Sequence, residues 1–304
     1  MTFYILDVFA EKKYAGNQLA VFRNPAGISS REMQQIARET NFSETTFILS
    51  DKPHPPGPES PTPDPRSPGF DVRIFTPNEE VPFAGHPTLG TAWLIQQEVI
   101  ARPVESVTLN LKVGQISVAF TYADGKPDVL WMQQKEPSFG PVFERARIAR
   151  VLSIDQTDID SRLPIQEVST GLPFIIVPLL RLAAVKKARI DRDRYFELVK
   201  TTQAKGILLF CPEPYDKEND LNARMFADWY GVPEDPATGS ANGCLAAWLT
   251  KYRYFGTSTI NIRVEQGCEI NRPSLLLLRT ETFRRVIQVH VGGRVRLVAR
   301  GEFV

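Results

Sequence analysis

Cysteine and histidine are scarce, three of each in 304 residues, and their scarcity closes several chemical routes. Cys211, Cys244 and Cys268 are too few and too scattered for a disulfide framework, and no two form a C-x-x-C pair, so neither a stapled secreted scaffold nor a thiolate metal site is expected. No H-E-x-x-H occurs among the histidines. G-x-S-x-G, G-x-x-x-x-G-K-[ST] and a G-x-G-x-x-G after a strand are also missing, which removes zinc protease, serine hydrolase and nucleotide-binding readings. Charge of one sign is lacking as well: Lys and Arg number 36 against 35 Asp and Glu, leaving no basic field to hold nucleic acid. No apolar run is long enough to cross a bilayer. The greasiest stretch, Leu172 to Leu180, contains Pro173 and Pro178 and stops at Arg181, short of the roughly 20 residues needed. The opening residues lack a basic region, and Asp7 interrupts their apolar run, so they read as a strand rather than a signal peptide. A cytoplasmic protein with no membrane role is expected, and Asn41-Phe-Ser43, although it fits the glycosylation pattern, then carries no sugar.

What is present is an ordinary globular composition, 42% hydrophobic and 23% charged, in a chain long enough for two domains of about 150 residues. Short apolar or alternating runs dominate: Tyr4 to Phe9, Leu19 to Phe22, Thr46 to Leu49, Val107 to Leu111, Ile116 to Tyr122, Val129 to Met132, Phe174 to Pro178, Ile207 to Cys211, Ile260 to Val264, Leu275 to Leu278 and Val286 to Val291. Rich in β-branched residues and separated by Gly, Pro, Asn and Asp, they read as strands. Two amphipathic patterns read as outer helices. These are Ser29 to Glu39, where Ser29 and Glu32 have capping-box spacing, and Asp191 to Thr201.

Two other helical segments, Thr88 to Ile95 and Ser240 to Leu249, carry no charged residue on any face. A helix apolar all round is buried. Among so many strands the economical solution is a sheet curled around each helix, an α+β fold of two pseudo-symmetric halves, each a mostly antiparallel β-roll around a central apolar helix. An internal echo supports duplication: Arg73-Ile-Phe75 precedes Gly85-His-Pro and Ala92-Trp93-Leu94, while Arg224-Met-Phe226 precedes Thr238-Gly-Ser240 and Ala247-Trp248-Leu249. The expected halves are residues 1–125, joined by a C-terminal strand 295–304, and residues 126–294. Residues 53–68 hold eight prolines and read as a solvated polyproline loop, a candidate lid or partner-binding segment.

Candidate chemistry gathers at the starts of the two apolar helices and on one strand. Glu44 heads the run Thr45-Thr-Phe-Ile-Leu49, where neighbours on both faces are apolar, and poor hydration disfavours an ionised carboxyl, moving it toward acid/base work near neutrality. A salt bridge or a turn cap is the structural alternative. His86 sits between Gly85 and Pro87. Pro87 suits the first helical position and His86 the cap before it, with a satisfied core histidine as the alternative. Asp235 precedes Pro236, which favours extended backbone, and Thr238 to Ser240 open the second helix; an N-cap or turn aspartate is the alternative here. Helix N-termini attract carboxylates. If the halves face each other, the cleft between them suits an anionic small molecule flanked by Glu44, His86 and Asp235, without metal or organic cofactor.

The ordered set Asp7-Val-Phe with Gly16-Asn17, Asn41-Phe-Ser43-Glu44-Thr-Thr-Phe, Ala84-Gly-His-Pro-Thr-Leu-Gly90, Asp235-Pro-Ala-Thr-Gly-Ser240 and Gln266-Gly resembles the phenazine-biosynthesis PhzF-like family along nearly the whole chain. The resemblance implies the diaminopimelate-epimerase-like fold, a homodimer, and a cofactor-independent isomerase in which Glu44 moves a proton between carbons of a small cyclic amino acid, aided by Asp235 and His86. It implies a substrate site lined by Ser43, Gly85, Thr238, Gly239 and Ser240. Racemases of this fold use paired cysteines at the two helix starts; no thiol lies there, and Cys244, a turn inside the apolar helix, reads as packing. Gln18 stands where the family commonly has proline, Asn271 replaces a frequent glycine, and asparagine tolerates the left-handed turn this requires.

The expected function is therefore isomerisation of a small carboxylate by glutamate acid/base catalysis. An amino-acid epimerase or lyase on the same fold is the nearest alternative, and a non-catalytic binding or scaffold protein is the alternative from another class.

Overall fold

A computed structural model describes residues 1–25, 27–55, 68–284 and 286–304. Most of the proline-rich segment, residues 56–67, lies outside the described residues. Its flanks are tied by a two-residue bridge in which the backbones of His54 and Gly69 exchange both N–H···O bonds, at 2.7 and 2.8 Å. The chain divides into two compact units, residues 1–132 with 292–304 and residues 133–291.

The first unit contains strands β1 (Thr2–Val8), β2 (Asn17–Arg23), β3 (Thr45–Ile48), β4 (Phe70–Phe75), β5 (Glu80–Val81), β6 (Ser106–Leu111), β7 (Gly114–Ala123) and β8 (Lys126–Gln133). β1 pairs antiparallel with β2, β2 parallel with β3, and β3 antiparallel with β4. β4 carries the β5 hairpin and runs parallel with β6. β6 and β7, then β7 and β8, pair antiparallel. The expected boundary at residue 125 is the tight β7–β8 turn, where Asp124 and Gly125 have φ of 51° and 73°. Because β8 is zipped to β7, the division falls at its far end.

Helix α1 (Ser30–Thr40) closes the outside of this unit. Its capping box is complete, with Glu32 N–H donating to Ser29 Oγ at 3.3 Å and Ser29 N–H to Glu32 Oε2 at 2.7 Å. Only Met33 and Ala37 are buried. Beneath it Phe22 stacks on Phe47 at 5.2 Å, and Phe75 meets Phe47 edge-on at 5.5 Å.

Helix α2 (Gly85–Leu94) is the buried one, eight of its ten residues inside and packed on β1, β2, β3, β6 and β7. It continues as a π-type turn, Ile95–Ile100, that ends on left-handed Ala101. The sequence reading placed Pro87 at its first position. The helix instead begins two residues earlier on the N-cap Ala84, because proline's missing N–H is harmless anywhere among the first helical positions.

The second unit contains β9 (Ser138–Phe143), helix α3 (Arg145–Val151), β10 (Ile165–Ser169), β11 (Pro173–Pro178), helices α4 (Leu182–Lys187) and α5 (Arg192–Lys200), β12 (Gly206–Cys211), β13 (Leu221–Ala227), β14 (Val232–Asp235), helix α6 (Gly239–Lys251), β15 (Ile260–Gln266), β16 (Ser274–Phe283) and most of β17 (Val286–Gly293). β9, β10 and β11 pair antiparallel, β11 parallel with β12, and β12 antiparallel with β13. β13 carries the β14 hairpin and runs parallel with β15, which pairs antiparallel with β16. Helix α6 has eleven of thirteen residues buried and packs on β10, β11, β12 and β16. The last strand, β18 (Val295–Glu302), returns to the first unit and pairs antiparallel with β1.

The same clamp precedes both buried helices. In the first unit Arg73 grips Glu80 with two bonds of 2.9 and 2.7 Å, while its guanidinium lies 5.0 Å from the Phe75 ring centroid. In the second, Arg224 grips Glu234 at 2.9 and 2.7 Å and lies 4.8 Å from the Phe226 ring. Arg224 also donates to the carbonyls of Val185 and Ala188, at 2.8 and 2.9 Å, around the end of α4. Its side chain is 4% exposed against 24% for Arg73, so its loss strands a carboxylate and two carbonyls where water is scarce. Arg224→Ala is expected to cost about 3–5 kcal/mol in urea unfolding, and Arg73→Ala about 1 kcal/mol. Equal costs would show that burial does not separate the two clamps.

Candidate active site

Glu44 sits one residue before β3, and the parallel pairing of Ala20 with Thr45 sets it level with the middle of β2. All four β3 residues are buried, while Leu49, expected to line the apolar surround, is 39% exposed. The threonines after Glu44 fix its approach. Thr45 Oγ1 bonds Thr40 Oγ1 at the end of α1, and Thr46 Oγ1 bonds Thr91 Oγ1 on α2, both at 2.8 Å.

His86 arrives from the other side because α2 lies directly on β1 and β2. A Cβ on Gly90 would stand 2.6 Å from Leu19 and 2.8 Å from Val8 side-chain atoms, so only glycine permits this approach. His86 is one turn earlier on the same helix face. Its Nε2 lies 3.3 Å from the Gln18 carbonyl and 3.6 Å from Glu44 Oε2. A carbonyl only accepts, so Nε2 carries the hydrogen and the imidazole is the Nε2–H tautomer. Burial pushes the His86 pKa down to about 3, outweighing the opposing pull of the Gln18 carbonyl, so the pair is a carboxyl beside a neutral imidazole and not an ion pair. The Glu44 side chain is 20% exposed, the His86 side chain 6%. Gly85 opens the helix before His86, and half-buried Ser43 precedes Glu44; the Ser43 hydroxyl engages no partner among the described residues.

In the second unit β14 ends at Asp235, which is 8% exposed. Thr238 is the N-cap of α6, followed by buried Gly239 and half-buried Ser240. Thr238 Oγ1–H donates to Asp235 Oδ2. Beneath this turn lies Gln266, the last residue of β15 and wholly buried. Gly267, at φ +76°, lets the chain pass: a Cβ there would stand 2.5 and 2.6 Å from the carbonyls of Arg272 and Pro236. Asn242, on the first turn of α6, donates to Thr238 O at 3.0 Å and Gln266 Oε1 at 2.8 Å. The Ser240 hydroxyl has no partner among the described residues.

The structure thus joins Glu44 with His86 in one unit and Asp235 with Thr238, Gly239 and Ser240 in the other. Reasoning from the residues missed Asn242. The signal available was an amide in an otherwise apolar helix, which a buried position must satisfy. Cys244 is buried, its thiol pushed up to about 12 by burial, which suits packing rather than nucleophilic work. Asn271 does adopt the left-handed conformation, at φ 60°. Among the described residues no three or more His, Cys, Asp or Glu side chains are grouped to hold a metal ion, and no helix is long and apolar enough to cross a membrane.

The comparisons with known proteins decide the family. Residues 6–301 match the model of the phenazine biosynthesis-like protein family. The chain belongs to that family. A trans-2,3-dihydro-3-hydroxyanthranilate isomerase of Pseudomonas aeruginosa is 33% identical over 99% of this chain and 98% of its own length. An uncharacterized isomerase of Clostridium acetobutylicum is 30% identical over 99% and 97%. The crystal structure of a PhzF-family protein from Bacillus anthracis superposes with a TM-score of 0.87 at 25% identity, over 100% of this chain and 99% of the other. Family membership makes this chain an isomerase.

The His86 assignment carries a pH prediction. The folded-state pKa lies below the unfolded value near 6.5, so the unfolded chain binds the extra proton first. The stabilising effect of the neutral imidazole is complete above about pH 6.5 and is lost as pH falls toward 3. By NMR the His86 ring shifts are expected to hold steady from pH 7.5 down to about 5, where an ordinary histidine titrates near 6.5. A midpoint above 6 would overturn the neutral assignment.

Proposed function

We propose that this isomerase needs no cofactor and works by glutamate acid/base catalysis on a small cyclic, amino-acid-like carboxylate. The Glu44 carboxylate takes a proton from an activated C–H, the electron pair moves into the adjoining unsaturation, and the same carboxyl returns a proton to another carbon. Nothing is oxidised, reduced or eliminated. His86, a neutral ring, orients Glu44 by contact, and beside them Gly85 and Ser43 offer a backbone amide and a hydroxyl; in the second unit Asp235, oriented by Thr238, engages a polar substituent, and Gly239 and Ser240 offer an amide and a hydroxyl to a carboxylate.

The observation that carries this reading is the Glu44–His86 pair at 3.6 Å. Its imidazole is uncharged at working pH, and its glutamate is largely buried yet still reachable. The dihydrohydroxyanthranilate named for the relatives is a cyclic amino acid of the proposed class.

The pseudo-symmetric fold, with two halves from one duplicated ancestor, belongs to the same proposal. Three things support it: the matching order of parallel and antiparallel pairings, the Arg-x-Phe clamp, and a Glu five residues before each buried helix, Glu80 to Gly85 and Glu234 to Gly239. A cytoplasmic homodimer is proposed from family resemblance, and light scattering reads its mass.

In D₂O with trans-2,3-dihydro-3-hydroxyanthranilate, wild type is expected to give the isomer with deuterium at the receiving carbon. Glu44→Gln should fall by about 10²–10⁴-fold with an unchanged melting temperature. Near-full turnover by Glu44→Gln would refute the glutamate mechanism. Deuterium at a stereocentre with the double bonds unmoved would identify an epimerase, and loss of water a lyase.

A further inference from the structure

We propose that Gln266 is a positioning residue for Asp235, acting through the Thr238 hydroxyl. The inference rests on the reading of Asp235 as part of the substrate site.

The carboxamide of Gln266 makes four contacts. Nε2 donates to Asp235 O at 2.8 Å and to Thr238 Oγ1 at 3.2 Å, and Oε1 accepts from Thr238 N–H at 3.3 Å and Asn242 Nδ2 at 2.8 Å. A carboxamide has two N–H groups and two lone pairs, so none is left over. Its orientation is also forced: the Asp235 carbonyl can only accept and the Thr238 N–H can only donate, so the amide cannot be turned over. Thr238 Oγ1 therefore receives a hydrogen from Gln266, and its own single hydrogen points at Asp235 Oδ2. The chain of donors runs one way, from Gln266 through Thr238 to the Asp235 carboxylate.

Satisfying the start of α6 requires only the Oε1 contact to Thr238 N–H. The Nε2 contact to Thr238 Oγ1 does something more, pinning the hydroxyl and fixing the rotamer in which the carboxylate is held. Both ends of the relay are set by backbone. Gly267 presses its loop against Pro236, and the pairing of Met225 with Asp235 fixes β14. A side chain 0% exposed at that corner has no water to substitute for a lost donor.

Gln266→Met removes all four bonds at similar volume. Gln266→Glu keeps the acceptor for Thr238 N–H and Asn242 and removes only the donors, so it serves if the Met variant does not fold. In full-length protein labelled with ¹³C,¹⁵N-threonine, the Thr238 hydroxyl proton is expected as a resolved, slowly exchanging signal. It should vanish into fast exchange in the Gln266 variant while the other protected threonine hydroxyls remain. A Thr238 signal unchanged in the variant overturns the relay, whatever the substrate.

The kinetic arm uses trans-2,3-dihydro-3-hydroxyanthranilate. Gln266→Met and Thr238→Val should each lower kcat by about 10-fold with KM changed less than about 2-fold, and the double variant should be no worse than about 2-fold below either, because one chain is broken once. Thr238→Ser, which keeps the hydroxyl, should recover part of the Thr238→Val loss. Additive losses, or a change confined to KM, overturn the positioning role. Absence of wild-type turnover would instead count against the proposed substrate, and the hydroxyl signal would then decide the Gln266 assignment alone.

Discussion

A helix without a polar face must be covered by other elements, here strands, and covering it removes the water that would satisfy its first turn. Helices α2 and α6 both meet that constraint, and much of the local architecture follows from it. At the start of α2 the N-cap is Ala84, which has no side chain to offer. Pro87 subtracts one orphan donor, and buried Thr88 returns its hydroxyl to the Ala84 carbonyl at 2.7 Å. At the start of α6 the equivalent fourth position is Asn242, which bonds the Thr238 carbonyl in the same i to i+4 sense. The N-cap amide is taken up from outside the helix by Gln266. Each solution fixes the first turn firmly in place, which a binding or proton-transfer group requires of its support.

The Arg-x-Phe clamps act one step earlier, on the hairpin that delivers each helix. In β14, Glu234 and Asp235 are consecutive, so strand alternation sends them to opposite faces. Holding Glu234 against Arg224 with two short bonds therefore also commits Asp235 to the Thr238 side. Removing water makes this clamp costly to break but leaves it few alternatives. The first-unit clamp is wetter, and Lys112 joins it, bonding Glu80 at 2.7 Å. There burial pushes the Glu80 carboxyl up, and Arg73 with Lys112 outweighs it, holding the group below the usual carboxylate range.

Most of the framework was legible because it obeys local rules. Each of the eleven apolar runs falls on a strand, nine wholly within it and two ending one residue beyond, at Phe9 and Leu49; the Ser29–Glu32 spacing is a capping box, and Asp191 caps α5. What escaped was held by distant partners. β13 reads Leu-Asn-Ala-Arg-Met-Phe-Ala, yet every residue of it is buried: Arg224 is satisfied by Glu234 and two carbonyls, and the Asn222 amide donates to the carboxylate of Glu265. β9 includes Gly140 and Pro141 and is largely exposed, so it has no apolar signature. Helices α3 and α4, of seven and six residues, are too short for a helical period to stand out. Of the candidate site residues, Glu44, His86 and Asp235 could be picked out as residue types at helix and strand ends. The four bonds of Gln266 could not, since they join residues 235, 238, 242 and 266 across a turn whose shape depends on Gly267.

The neutrality of His86 decides what kind of pair it forms with Glu44. At 3.6 Å an imidazolium would gain about 4 kcal/mol from the carboxylate if the surroundings behaved like a protein surface, but a charge deprived of water loses several kcal/mol of hydration. His86 is 5% exposed and its single mandatory partner, the Gln18 carbonyl, needs only one N–H, which the neutral ring already supplies. Desolvation therefore wins. An ion pair would have tied the glutamate to a permanent cation and made proton uptake from a carbon acid harder. On the proposed mechanism the neutral ring does the reverse: it fixes the geometry of the carboxyl through contact alone and leaves the proton balance to the substrate. Gly90 is then part of the chemistry at one remove, because any larger residue there would lift α2 from Leu19 and Val8 and carry His86 away from both Gln18 and Glu44.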